Sequence, residues 1–265
     1  MSVSATTRRP NKLTTYFRVL GIRVHAVQIP DVVQQMERWI TEKEFGHFVT
    51  LTNVHSVIEA QQNDLFHETL LSADLSVPDG MPLVWVGRLR GHSLQRRVYG
   101  PDLLADFLRI TAPKGYRHYF YGGAPGIADR MVEEMRKNIP ELTVVGTYSP
   151  PFRPMTPEED AAIVEKINQA KPDVLWVGLG CPKQEIWMFQ HRQRLQVPVL
   201  VGVGQAFNIY AGDLRQAPPW MRENGLEWFF RLLLEPRRLW RRYLLYNTKF
   251  LFYLLLEAAG LKRFS

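Results

Sequence analysis

Apolar runs of four to seven residues recur along the chain at 24–27, 48–51, 116–121, 142–145, 174–177 and 197–203. Between most of them, apolar residues return every three or four positions, at 32–43, 55–62, 103–110, 127–137, 157–170 and 183–195. Runs this short read as buried strands and the longer periodic segments as helices with one apolar face. Strands alternating with helices predict an α/β fold, a parallel sheet covered by helices on both faces. Pro140, Pro172 and Pro198 fall between elements, where a residue without an N–H does least damage. Two proline-rich spots, Pro150-Pro151 with Pro154 and Pro218-Pro219, mark loops. The second divides a main body, 16–218, from a C-terminal helical appendage, 219–265. Residues 1–15 are polar and lack an apolar segment, so they read as a disordered tail with no signal peptide.

In such a sheet, ligands bind beyond the carboxyl ends of the strands. Three glycine-bearing strand ends are expected to converge there: Gly122-Gly123, Gly178 with Gly180, and Gly202 with Gly204. None is a dinucleotide fingerprint, because Lys183 and Phe207 stand where a third glycine belongs. The phosphate loop of nucleotide hydrolases is absent as well. One glycine pair is ordinary turn chemistry, but three together favour a crevice for a nucleotide or sugar phosphate. The octapeptide Gly178-Leu179-Gly180-Cys181-Pro182-Lys183-Gln184-Glu185 is the most informative of these ends. Pro182 suits a helix start, and Lys183, Gln184 and Glu185 fall in the first turn, beside free backbone N–H groups that favour an anion. The plainer reading is a strand-to-helix turn with a solvated first turn.

Val77-Pro78-Asp79-Gly80 holds a carboxylate in a tight turn after a short apolar run. Such an aspartate either bonds its own backbone or serves as a general base on a rigid loop. Asn53, following Thr52 at the end of an apolar run, reads as a helix cap or a ligand donor. In Arg97-Val98-Tyr99-Gly100-Pro101-Asp102, Asp102 either complements a helix dipole or, with Arg97, touches a polar substrate. The seven histidines show no paired spacing of the kind that builds a zinc site, and no Asp-x-Asp occurs to hold a cation on a diphosphate. Neither a metal nor another cofactor is expected, and a diphosphate would be met by cationic side chains or helix termini.

Charge sharpens the picture at one end. The 265-residue chain carries a net +7 and a single cysteine, which rules out an internal disulfide. Residues 229–265 hold eight basic and two acidic residues, so the main body is nearly neutral and the appendage is basic. Arg238, Arg241 and Arg242 cluster on one helical stretch, with Trp240, Tyr243, Leu244 and the run 250–256 supplying apolar surface. That run is far short of the roughly 20 residues a spanning helix needs. The appendage is therefore expected to lie on an anionic membrane surface rather than to pack on the core with a solvated basic face.

Taken in order, Thr52-Asn53, Val77 to Gly80, Arg97 to Leu103, Tyr121-Gly122-Gly123, Gly178 to Glu185, Gly202-Val203-Gly204 through Ala211-Gly212, Ala217-Pro218, and Gly225-Leu226-Glu227-Trp228 with Arg231 and Glu235-Pro236 resemble the WecG/TagA/CpsF family of bacterial glycosyltransferases. The resemblance implies a Rossmann-like fold and inverting, metal-independent transfer of a hexose or N-acetylhexosamine. The donor would be a UDP-sugar and the acceptor a sugar on a polyprenyl diphosphate. It also implies an appendage that meets the inner face of the plasma membrane and helps close the site. Asp79 would be the base, with Asn53 and Gln184 beside it in the catalytic site. Thr52, Arg97, Asp102, Gly122, Gly123, Gly180, Lys183, Gly202, Gly204 and Asn208 would serve the donor. Arg231, Arg238, Arg241 and Arg242 would face the diphosphate and the membrane. The chain departs from the family pattern at Leu51, Gln205, Asn208 and Gln216, which bear on donor choice. Nucleic acid is not an expected partner, and a homo-oligomer is left open. The rival reading is a non-catalytic nucleotide- or nucleic-acid-binding protein that uses the basic appendage on phosphates; a nicotinamide-dependent oxidoreductase is disfavoured by the missing fingerprint.

Overall fold

The computed structural model describes residues 15–264. Eight strands are formed: β1 (Tyr16–Val19), β2 (Ile22–His25), β3 (His47–Thr52), β4 (Leu75–Pro78), β5 (Arg117–Gly122), β6 (Thr143–Tyr148), β7 (Val174–Gly178) and β8 (Val199–Gly202). The helices of the main body are α1 (Ile29–Thr41), α2 (Val54–Ala60), α3 (Asp64–Leu71), α4 (Met81–Leu89), α5 (Gly100–Thr111), α6 (Ile127–Asn138), α7 (Pro157–Ala170), α8 (Lys183–His191) and α9 (Ala206–Tyr210). Three more follow: α10 (Pro219–Glu223), α11 (Glu227–Leu234) and α12 (Pro236–Ala258). The polar tail expected at 1–15 lies, except for Thr15, outside the described residues.

Strands β3 to β8 form one parallel sheet in the order β4-β3-β8-β7-β5-β6. Side chains alternate across each strand. Val174 and Trp176 of β7 therefore join the core under α1, α5 and α6, while Leu175 and Val177 join the opposite core under α7 and α8. Burial on both faces is why β7 and β8 read as unbroken apolar runs. This confirms the α/β, Rossmann-like architecture.

Strand β2, foreseen from the run 24–27, does not join the main sheet. It pairs antiparallel with β1, and its His25 covers the free edge of β4, whose Ser76 N–H donates to His25 Nδ1 at 3.0 Å. Burial pushes the His25 imidazole down to about 4, which keeps it neutral and able to accept that bond.

Appendage helix α12 lies across α2. Phe250 is buried among residues of α2, α4 and the β1–β2 hairpin. Tyr246 stacks on His55 at 4.7 Å and its hydroxyl donates to Glu59 at 2.8 Å. Elsewhere on its surface α12 leaves Trp240, Leu244, Leu245, Leu251, Phe252 and Leu255 exposed. The appendage thus both packs on the body and presents apolar surface outward. No described helix is long and apolar enough to cross a membrane.

Candidate active site

The chain steps outward from β3 to β4 and then returns to the other side of the sheet, so the strand order reverses beside β3. Ligand crevices open at such points, and here a cleft of about 890 Å³ opens, bordered by α11 and α12. That volume falls within the range of roughly 300–1,000 Å³ typical of small-molecule sites.

Asp79 enters the cleft from the end of β4. Its N–H donates to Thr52 O at 2.9 Å, and Pro78 O accepts from Val98 N–H at 2.7 Å. These two bonds fix the turn between β3 and the segment leading to α5. The carboxyl oxygen Oδ1 is buried without a hydrogen-bond partner. Burial pushes the Asp79 carboxyl up to about 7; nearby Glu227 pushes the same way, while Arg97, the Asn53 amide and the Gly100 N–H favour the ion. A carboxyl poised near neutrality with a free oxygen has the properties of a general base. Asn53 is the helix cap that one sequence reading made it. Its oxygen caps α2 by accepting from Ser56 N–H at 3.2 Å, and its amide faces Asp79.

Arg97 is pinned beside this carboxylate. Its guanidinium donates to Asp79 O at 3.3 Å, stacks 4.2 Å from the centre of the Tyr99 ring, and pairs with Glu227 of α11. The Tyr99 hydroxyl donates to the other Glu227 oxygen at 3.2 Å. Arg231, one turn further along α11, donates to Gln205 Oε1, and its Nε is buried without a partner.

Across the cleft, Gln184 joins two strand ends. Its Oε1 accepts from Gly180 N–H at 3.2 Å and from Gly204 N–H at 3.0 Å, and its Nε2 donates to Glu185 Oε1 at 2.8 Å. One backbone donor of the octapeptide, the Gly180 N–H, and a second from the end of β8, the Gly204 N–H, are thus taken up by Gln184 itself. Glu185 is buried, with Oε2 lacking a hydrogen-bond partner. Burial pushes its carboxyl up to about 7, against the opposing influence of the Gln184 amide.

The cleft is lined by eight of the sequence-predicted residues: Asn53, Asp79, Arg97, Gly180, Gln184, Gly202, Gly204 and Arg231. The others sit elsewhere. Thr52 turns under the sheet to bond Ser76 Oγ at 2.7 Å. Asp102 pairs with Arg222 at 3.1 Å. Lys183 is exposed on α8, and Asn208 accepts two backbone bonds through its carbonyl. Gly122 and Gly123 pack at the end of β5, where a Cβ on Gly122 would meet Gly178 O at 2.5 Å. Arg241 is exposed and stands 5.3 Å from the Trp240 ring. The side chains of Arg238 and Arg242 lie outside the described residues. Sequence reasoning assigned no role to Glu185, Tyr99 or Glu227. The available signal for Glu227 was an acid just after a glycine at the edge of a basic segment.

Comparison with known proteins agrees with this geometry. The family model for the glycosyl transferase WecG/TagA/CpsF family matches residues 17–264. An N-acetylglucosaminyldiphosphoundecaprenol N-acetyl-beta-D-mannosaminyltransferase of Bacillus spizizenii is 32% identical over 217 residues, covering 82% of each chain. Proteins of the same description from Bacillus subtilis and Staphylococcus aureus are 28% and 23% identical, over 80% and 84% of this chain and 80% and 86% of theirs. An active-site cleft at the reversal of the sheet and a family match running almost end to end lead to one conclusion: this chain belongs to the WecG/TagA/CpsF family and is a glycosyltransferase of cell-envelope polysaccharide biosynthesis.

Proposed function

We propose that this enzyme transfers an N-acetylhexosamine, or a related hexose, from a UDP-sugar to a sugar on a polyprenyl diphosphate, with inversion and without a metal. The observation that carries it is Asp79, a buried carboxyl near neutrality with one oxygen free, facing a cleft that also holds Arg231. The relatives' description, an N-acetylmannosaminyl transfer to N-acetylglucosaminyldiphosphoundecaprenol, supports the substrate classes.

In the reaction, an acceptor hydroxyl oxygen attacks the anomeric carbon of the donor while Asp79 takes its proton. The bond from the anomeric carbon to the diphosphate oxygen breaks, and its electron pair leaves with UDP. A single displacement inverts the carbon. Charge developing on the diphosphate is met by Arg231, whose low-dielectric setting strengthens the attraction.

The outer face of the appendage supports a seat on the inner leaflet of the plasma membrane. Its exposed Leu245 and Phe252 lie on the same helix as exposed Arg237, Arg241 and Lys249, which brings the cleft to a lipid-borne acceptor.

The test is UDP release from a panel of UDP-sugars, with and without a short-chain lipid-diphosphate sugar. Acceptor-dependent release from an N-acetylhexosamine donor is expected. Absence of acceptor dependence with every donor would overturn the proposal.

A further inference from the structure

Among the described residues, Glu227 is the one acidic side chain that the appendage sends into the cleft lining. Its arrival is built into the backbone. Gly225, just before it, has φ +73, and a Cβ there would meet Met81 Cβ at 3.0 Å and Trp85 at 3.2 Å. Only a glycine lets the chain turn this tightly against α4 and deliver α11 with Glu227 in its first turn. Both Glu227 and Arg97 are 14% exposed, so their ion pair is mostly out of water.

This pairing determines what Arg97 does to Asp79. One arm of the guanidinium donates to Glu227 and another to the Asp79 backbone carbonyl. The Asp79 carboxyl oxygen Oδ1, a few bonds away, is left without a hydrogen bond. A buried arginine without Glu227 would turn to the neighbouring carboxylate, the strongest acceptor in reach. A base locked in a bidentate pair would have its lone pairs occupied and its proton affinity lowered.

We propose that Glu227 is a positioning residue that diverts Arg97 from the Asp79 carboxylate, so that docking of the appendage arms the base. The proposal rests on the reading of Asp79 as the base of a glycosyl transfer. It makes catalysis depend on α11 being seated, so an enzyme with its appendage undocked has a quenched base and does not waste donor. The charged and titratable groups around Asp79 are Arg97 and Tyr99 from the segment before α5 and Glu227 from α11, with the neutral Asn53 of the α2 cap beside them. Removing the Glu227 charge takes away one influence that raises the Asp79 carboxyl and releases the arginine that lowers it. Both changes act in one direction.

The experiment has two readouts. Infrared titration of the protonated carboxyl band that is lost in Asp79→Asn reports the carboxyl directly, without substrate. Glu227→Gln is expected to move that titration down by at least ~1 pH unit, the effect of an arginine moving onto an aspartate. In an Arg97→Gln background the same substitution should move it by less than half as much, because the diverted group is gone. The second readout is the pH profile of UDP release with the lipid-linked acceptor, whose acid limb should shift by the same amount. An unshifted Asp79 band in a folded Glu227→Gln protein overturns the proposal while leaving the function intact. A shifted band with no acceptor-dependent transfer by the wild-type protein sustains the diversion and sinks the functional reading instead.

Discussion

Gln184 and Glu185, adjacent in sequence, are joined by a hydrogen bond of 2.8 Å from the Gln184 amide to the Glu185 carboxyl. The same glutamine accepts from Gly180 and Gly204, at the ends of β7 and β8. One side chain thus fastens two strand ends and orients a buried acid. Gln184→Ala leaves two backbone donors and one carboxyl oxygen without partners. At ~1–3 kcal/mol for a buried group left unsatisfied, the variant should lose roughly 3 kcal/mol of stability, measured by urea unfolding. A loss under ~1 kcal/mol would show that water replaces the amide.

Glu185 has its own pH signature. Its carboxyl is raised from 4.5 to about 7 by burial. The folded protein therefore keeps a proton that the unfolded chain releases between those values, and stability falls as pH rises through that window. Glu185→Gln has no proton to lose. Its unfolding free energy in urea, relative to wild type, should rise between pH 5 and pH 8, by on the order of 2–3 kcal/mol. A difference that is flat with pH would place Glu185 in contact with water.

Asp79→Asn removes the proposed base while keeping size and most hydrogen bonds. General-base catalysis contributes roughly 10²–10⁴-fold, so acceptor-dependent UDP release should fall about a thousandfold, with donor binding by calorimetry within a few fold of wild type. In the wild-type protein activity should increase with pH through about 7, as the Asp79 carboxyl ionises. Near-full turnover by a folded Asp79→Asn protein would remove the base assignment.

The sheet was legible where a strand is buried on both faces, as at Val174 to Val177, because no polar residue interrupts the run. Strand β4 was not read as a strand. Its four residues include Ser76, which is buried only because its hydroxyl bonds Thr52 and its N–H bonds His25, and both contacts are tertiary. Helix α4 escaped for a related reason. It contains Pro82 and Gly87 and is apolar over most of its surface, so no period shows; Gly87 is needed because a Cβ would meet Leu94 at 2.6 Å. In the site, Asp79 was legible from a proline and a glycine that hold a carboxylate on a turn. Glu227 was not, since its meaning depends on a distant helix folding back onto Arg97. The glycines at the strand ends were expected to face a ligand, yet Gly122 serves the close approach of β5 to β7. The rival reading of a non-catalytic nucleic-acid binder gives way to the family assignment.

Gly225→Ala tests the docking of the appendage. Alanine at φ +73 is strained, and its Cβ would press on Met81 and Trp85. Strain of this kind costs about 1–3 kcal/mol, and it falls on the contact that seats α11. Limited proteolysis should cut the appendage at least several times faster in the variant, and transfer should drop while the melting of the main body changes little. Unaltered cleavage and transfer would mean that α11 is held by α12 alone.

The exposed face of α12 makes the last prediction. Arg237, Arg241 and Lys249 are exposed along a helix whose outer surface also carries Leu245 and Phe252. Near an anionic leaflet each Lys or Arg contributes about 1 kcal/mol, so replacing all three by Gln should weaken binding to phosphatidylglycerol vesicles by on the order of a hundredfold. Raising salt should weaken wild-type binding in the same direction, since exposed charges are screened within a Debye length of about 10 Å at 0.1 M. Replacing Leu245 and Phe252 by Ser separates the apolar contribution, which should persist at high salt. None of these five residues lines the cleft, so transfer to a soluble short-chain acceptor should be retained in both variants while transfer to acceptor in vesicles falls. Vesicle binding that survives both sets of substitutions would locate the membrane contact elsewhere on the protein.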